Sequence, residues 1–274
     1  MKRTTEQILR ELLYLASPDS RESARATAAE AIARRGDVPM AEPETAQLAE
    51  SLRSHEAGRE ADGERVVLRG ANLAGANLYE VTLVGADLTW ADLHGADLSF
   101  SNLTGAQLDD ATLTGASLGG ADLSGARLHR SDLAGAVLDA AVLAGAELNT
   151  ASLPTASLRE ADLSEASLRG AILRDADLTG ARLWQAVLDF ADLHRCDLTD
   201  ADLGTVVGTL SIERLRGVKW STGTRWPQSQ PGLGPEVLRN SVRIAPGVYQ
   251  VGDEDSRDRA TYPAPSPRTP SPVS

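Results

Sequence analysis

Between residues 66 and 205 the apolar positions follow a pattern that suits neither regular element. A leucine stands at every fifth position from Leu68 to Leu203, 28 in phase, and the residue two before each is nearly always alanine. The exceptions, Val66, Val81, Ser101, Ser131 and Cys196, are all small. On an α-helix, five steps of ~100° place successive leucines roughly 140° apart, so no apolar stripe forms. On a flat strand, an odd spacing sends successive leucines to opposite faces. One bend per repeat removes the conflict. If three residues run extended and the next two turn a corner, the leucine and the small residue point inward together and the residue between them points out. Each unit is then one side of a coil, and each coil buries its apolar side only against its neighbours.

The corners carry a second signal. The position two after leucine is glycine in 12 of 28 repeats, as a turn residue with positive φ requires. From Gly75 to Gly145 these glycines recur every ten residues, with Glu80, Trp90, Phe100, Asp110, Gly120, Arg130 and Ala140 at the corners between them. Two kinds of corner alternate. That alternation implies an even number of sides per coil, with four the natural reading, and argues against a three-sided coil.

The stretch "ADLTWADLHGADLSFSNLTGAQL" resembles the pentapeptide-repeat family, whose motif is A(D/N)LXX, and the resemblance runs over residues 66–205, about half of the chain. It implies an all-β solenoid: a right-handed quadrilateral parallel β-helix with four pentapeptides per coil. About seven coils follow, a stack roughly 34 Å tall at ~4.8 Å per coil. Open backbone edges at both ends of such a stack need covering. Residues 1–65 read as an N-terminal helical segment and linker, with an amphipathic helix over 5–16, a second from Ser17 with Pro18 in its first turn to Gly36, and a weaker one over roughly 44–56. Residues 206–252 read as a C-terminal cap region anchored by Trp220 and Trp226, and its segment "SIERLRGVKWSTGTRWPQSQPGL" resembles the Trp-Pro-containing terminal segments of family members. Residues 253–274 form a proline- and serine-rich tail expected to be disordered.

Composition narrows the function classes. Aromatic residues are only 4% of the chain, so a core packed around large rings is not expected. The single cysteine, Cys196, excludes an internal disulfide and a cysteine-built metal site, and its inward position predicts a buried, inert thiol. No apolar run approaches the ~20 residues of a membrane span and no signal peptide is legible, so a soluble, cytoplasmic protein is expected. His55, His94, His129 and His194 read as solvated surface residues. His94 and His194 share a column but lie five coils apart, too far for one metal ion. No Ser/His/Asp set and no phosphate-cradling loop stands out. The expectation is a non-enzymatic protein with no catalytic residue, no cofactor and no metal.

Charge is the informative surface property. Of a formal net charge of −12, all lies on residues 66–205, which hold 20 Asp or Glu against 8 Arg and no Lys. This disfavours direct binding to nucleic acid or an anionic membrane. Duplex DNA carries a charge per ~1.7 Å, about 20 over the expected stack height, so the likeness to DNA is partial. Between Gly70 and Ala126 the only basic side chain is His94, whereas Glu80, Asp87, Asp92, Asp97, Asp109, Asp110 and Asp122 are expected to face out as an acidic interaction surface. Asp110 and Arg130 should be vertical neighbours. Trp90 and Phe100, at corners of this acidic lobe, are the candidate apolar contacts for a protein partner. Trp184 and Phe190 are expected to dock the C-terminal cap.

Two function classes follow. Several bacterial members of the family protect DNA gyrase or topoisomerase IV from quinolones or natural-product poisons, so the resemblance implies a DNA mimic that binds such an enzyme and confers antibiotic resistance or self-protection. Members of the quinolone-resistance branch carry loops between coils, and residues 66–205 contain none. The other class is a structural scaffold or protein-interaction module without a topoisomerase role. Family members often associate through their C-terminal ends, which implies a homodimer formed there. An Asp or Asn before leucine also follows the repeat motif, a reading in which the acidity is a by-product.

Overall fold

The computed structural model describes Ala46, Ala49 and residues 66–252. The expected helices over 5–16 and from Ser17, and the tail 253–274, lie outside these residues. Ala46 and Ala49 are helical, and Ala49 is buried in the same cluster as the repeat leucines.

All 28 repeat leucines are at most 1% exposed, and the alanines two before them at most 2%. At ~1.5–3 kcal/mol per buried leucine, this column of aliphatic side chains is the main apolar contribution to stability. The three polar exceptions in the inward row are each satisfied by a leucine carbonyl. Ser101 Oγ donates to Leu98 O at 2.6 Å, Ser131 Oγ to Leu128 O at 2.8 Å and Cys196 Sγ to Leu173 O at 2.8 Å. A small polar residue is tolerated there because its hydrogen reaches a backbone acceptor without leaving the alanine-sized space.

Parallel bridges join residues 20 apart along all four sides, for example Val67 to Asp87 to Gln107 and Asn72 to Asp92 to Thr112. Four pentapeptides therefore make one coil. The repeat Asp87–Ala91 shows how the backbone is satisfied. Asp87 N–H donates to Val66 O of the preceding coil at 2.8 Å, while Leu88 and Trp90 donate to Gln107 O and Asp109 O of the next at 2.7 and 3.0 Å. Ala91 N–H closes the corner onto Leu88 O at 3.0 Å. The corner is a β-turn with positive φ at its third residue, the sign pattern of type II.

One expectation about the corners is corrected. Glycine and non-glycine corners do not alternate in conformation: 15 non-glycine residues, from Glu80 to Asp200, hold φ between 53° and 61°, beside repeat glycines at 61° to 69°. The same corner is used throughout. The stacking bonds on either side over-determine it, so the left-handed cost of ~1–2 kcal/mol for an L-residue is absorbed repeatedly. The ten-residue spacing of glycine gave the correct even-sided coil for the wrong conformational reason.

Past Leu203 the chain changes structure. Strand β1 (Lys219–Ser221), helix α1 (Leu233–Arg239), β2 (Ser241–Ala245) and β3 (Val248–Val251) follow, with an antiparallel sheet in the order β1-β3-β2. The last coil donates to this segment on each side: Leu188 to Val207 O, Arg195 to Arg216 O, Leu198 to Lys219 O and Leu203 to Arg225 O, at 2.8–3.0 Å. Trp220 is buried, stacked on Tyr249 with centroids 4.7 Å apart and edge-on to Trp226 at 6.0 Å. Its indole N–H donates to Ser241 Oγ at 2.9 Å, so burial leaves no orphan donor.

Because Leu133 is fully buried in mid-stack, Leu133→Ala should cost ~2–5 kcal/mol. Leu133→Asp should abolish cooperative unfolding in urea monitored by circular dichroism. A Leu133→Asp chain that melts like the wild type would contradict the packing described here.

Candidate protein-interaction surface

The seven candidate acids do not gather into one patch. Asp87, Asp92, Asp97 and Asp122 stand in four different bridge columns, one on each side of the coil. Asp109 and Asp110 occupy the corner after the Asp87 column, and Glu80 stands in the same corner column as Phe100, one coil before it. Glu80 is exposed and the other six are half-buried.

Their local bonding explains why they are there. The N–H of the residue after leucine has no backbone acceptor in the repeat pattern, and the residue before leucine supplies one. Asp87 Oδ1 accepts from Thr89 N–H at 3.1 Å, Asp92 from His94 at 3.0 Å, Asp97 from Ser99 at 3.0 Å and Asp122 from Ser124 at 2.9 Å. Asn72, Asn77 and Asn102 do the same without charge. So do Asp132, Asp162, Asp177, Asp192, Asp197 and Asp202. This is an Asx turn repeated along the stack.

A compensation appears in three of the repeats where that position is not Asx. Arg127, Ser157 and Ser167 precede leucine in their repeats, and the N–H groups of His129, Arg159 and Arg169 are accepted by Asp109, Asp139 and Asn149 from the preceding coil, at 3.1–3.2 Å. In another such repeat the residue after leucine is Pro154, which has no N–H to satisfy.

Ion pairs engage further candidates. Arg130 grips Asp110 with Nε at 2.8 Å and Nη2 at 2.6 Å, as the vertical spacing predicts, and Arg127 Nη2 lies 2.7 Å from Asp109. The Arg130 guanidinium beside Asp110 holds its carboxyl below the usual carboxylate range. Burial pushes the Asp122 carboxyl up, but hydrogen bonds from Ser124 and Thr104 outweigh it and leave it below that range. These exposed pairs contribute little individually.

The aromatic candidates divide as well. Trp90 and Phe100 are 57% and 61% exposed, on diagonally opposite corners of the coil. Arg69 lies over the Trp90 ring at 4.3 Å. Phe100 meets Tyr79 edge-on with centroids 5.7 Å apart, and its ring lies over Gly120, where an added Cβ would come within 2.6 Å. Gly120 breaks the ten-residue glycine spacing, and the ring above it supplies the reason. The sequence reading missed Tyr79, although the spacing of 20 and 21 residues places it beside Phe100. The expected docking of Trp184 and Phe190 against the C-terminal segment is overturned: they are 49% and 77% exposed, and Phe190 is only overlain by the Arg214 guanidinium at 5.3 Å.

Among the described residues no group of three or more His, Cys, Asp or Glu side chains is placed to hold a metal ion. His129 Nε2 lies 2.6 Å from Glu147 and His194 Nδ1 lies 2.6 Å from Asp192, while Arg174 also pairs with Asp192. Cys196 is buried, and desolvation pushes its thiol far up, which removes the thiolate needed of a nucleophile.

A family model, "Pentapeptide repeats (8 copies)", matches in overlapping segments over residues 64–99, 91–130, 101–139, 136–175 and 168–204. The chain belongs to the pentapeptide repeat family. The fold is accordingly the right-handed β-helix that pentapeptide repeats form. Solved pentapeptide repeat structures resemble it too. HetL, involved in heterocyst differentiation regulation in the cyanobacterium Nostoc sp. strain PCC 7120, is 31% identical over 59% of this chain and 74% of its own, with a TM-score of 0.27. A pentapeptide repeat protein of the Arabidopsis thaliana thylakoid lumen is 26% identical over 41% and 79%, with a TM-score of 0.37. QnrB1, a plasmid-mediated fluoroquinolone resistance protein, is 19% identical over 64% and 85%, with a TM-score of 0.38. No curated protein sequence matches.

Asparagine should substitute for the capping aspartates of this pentapeptide repeat where alanine does not. At pH 7, Asp122→Ala should lose about 0.5–1.5 kcal/mol in urea unfolding, the worth of one net hydrogen bond, and Asp122→Asn should lose less. The Asp122 carboxyl is held below its unfolded-state value, so its ionic contribution is present above ~3.9 and is lost as pH falls through the folded-state value. The gap between wild type and Asp122→Asn should therefore shrink in acid, and a gap that widens would contradict the assignment.

Proposed function

We propose that this pentapeptide repeat chain is a non-enzymatic, cytoplasmic binding protein that presents an acidic rod to a basic groove on a protein partner, as DNA would. A DNA gyrase or other type II topoisomerase is the partner of first choice. The observation that carries this reading is the charge of residues 66–205, 20 carboxylates against 8 arginines, with no Lys or Arg from Gly70 to Ala126. Carboxylates pinned by turns at coil spacing are presented without further ordering cost, which favours complementarity to a cationic groove. Fluoroquinolone resistance, the role of QnrB1, becomes the corresponding expectation for this chain, and it rests on charge alone.

A rigid scaffold is the second reading. The spread of the candidate acids over four sides and their use as turn acceptors favour it. The two readings separate in one set of assays, because Asn at Asp87, Asp92, Asp97 and Asp122 removes four charges and keeps the turn acceptors. Under mimicry, wild-type protein at micromolar concentration and low salt alters gyrase supercoiling or fluoroquinolone-induced cleavage. The fourfold Asn variant should then need at least about tenfold more protein while melting near the wild-type temperature. No effect of the wild type on either reaction would leave the scaffold.

A further inference from the structure

Three aromatic side chains occupy the corner position, Trp90, Phe100 and Phe190, and two already carry a guanidinium. Arg69 lies 4.3 Å from the Trp90 centroid and Arg214 lies 5.3 Å from that of Phe190. Phe100 is 61% exposed, and among the described residues no cation lies over it. Its surroundings are suited to one. Glu80 precedes it in the same corner column, and Tyr79 meets it edge-on at 5.7 Å. The Glu80 carboxylate beside the Tyr79 phenol pushes that phenol above its ordinary range, and Asp97 acts in the same direction. Gly120 in the next coil leaves the ring room to lie against the wall of the stack. Trp184 is exposed too, but it lies beyond the acidic stretch in the chain and is not a corner residue.

We infer that the Phe100–Glu80 corner is a receptor for an arginine side chain of a protein partner. The planar guanidinium stacks on the ring while its N–H fork reaches the Glu80 carboxylate, a pairing that a lysine ammonium does not reproduce. The chain makes the aromatic half of this contact internally at two other corners. Complementary charge commits the occupant: the acidic surroundings of Phe100 select a basic protein surface over nucleic acid or an anionic lipid. The inference deepens the proposed binding role by naming the contact through which a basic groove would be read.

The full chain contains only two phenylalanines, so a 13C-phenylalanine sample reports Phe100 and Phe190 alone. Phe100→Leu assigns the signals. Titration with hexa-arginine at low salt should shift Phe100 saturably and leave Phe190 in place, and hexa-lysine should bind the same site several-fold more weakly. Glu80→Gln should weaken the hexa-arginine response roughly two- to fivefold. An equal response to both peptides, an equal shift at Phe190, or no shift at Phe100 would overturn the site. A Phe100 response from a chain that leaves gyrase unaffected overturns the topoisomerase reading and keeps the site. Gyrase protection that persists with Phe100 unresponsive overturns the site and keeps that reading.

Discussion

Each side of this coil brings five backbone N–H groups to the wall of a dry, leucine-filled interior, and the need to satisfy them governs the rest of the structure. Three donate to adjacent coils and one closes the corner. The fifth, after leucine, has only side chains to turn to, and Asp or Asn before leucine answers it locally. In three of the repeats without that residue, Asp109, Asp139 or Asn149 answers from the preceding coil. Unpaired polar groups beside an apolar core are costly, which favours Asp or Asn before leucine without requiring it.

That constraint links fold to surface chemistry. A carboxylate used as a turn acceptor through Oδ1 keeps its charge, so a chain that repeats the turn with aspartate acquires negative charge as it acquires stability. The chain then adjusts the result with arginines in register, such as Arg130 on Asp110 and Arg127 on Asp109. Such pairs gather after Ala126 and are sparse before it. In the acidic lobe Arg69 lies 4.0 Å from Asp87, and among the described residues no ion pair forms at the turn acceptors Asp92, Asp97 and Asp122, where a partner with a basic groove would supply countercharge.

Much of the fold was legible because its period is strict. Leucine spacing gave the inward row, and the column arithmetic placed Arg130 on Asp110. Conformation was less legible: glycine marks a corner that any residue here is forced to adopt, as Trp90 and Phe100 show. The site was only partly readable, since the motif shows that aspartate precedes leucine but not that its oxygen is committed to Thr89, His94 or Ser99. Trp184 and Phe190 misled because large apolar groups near the C-terminal end of the stack suggested docking, whereas the C-terminal segment is held by backbone pairing and by Trp220.

The central claim is that the backbone pairs at a spacing of one four-sided coil. Through-hydrogen-bond couplings between amide nitrogen and carbonyl carbon, measured by NMR on deuterated protein, test it directly. The account predicts couplings from Leu88 to Gln107 and from Trp90 to Asp109, each 19 residues ahead. Couplings to carbonyls about 14 residues ahead would mean a three-sided coil, and couplings four residues back would mean helix; either would contradict the structure described here.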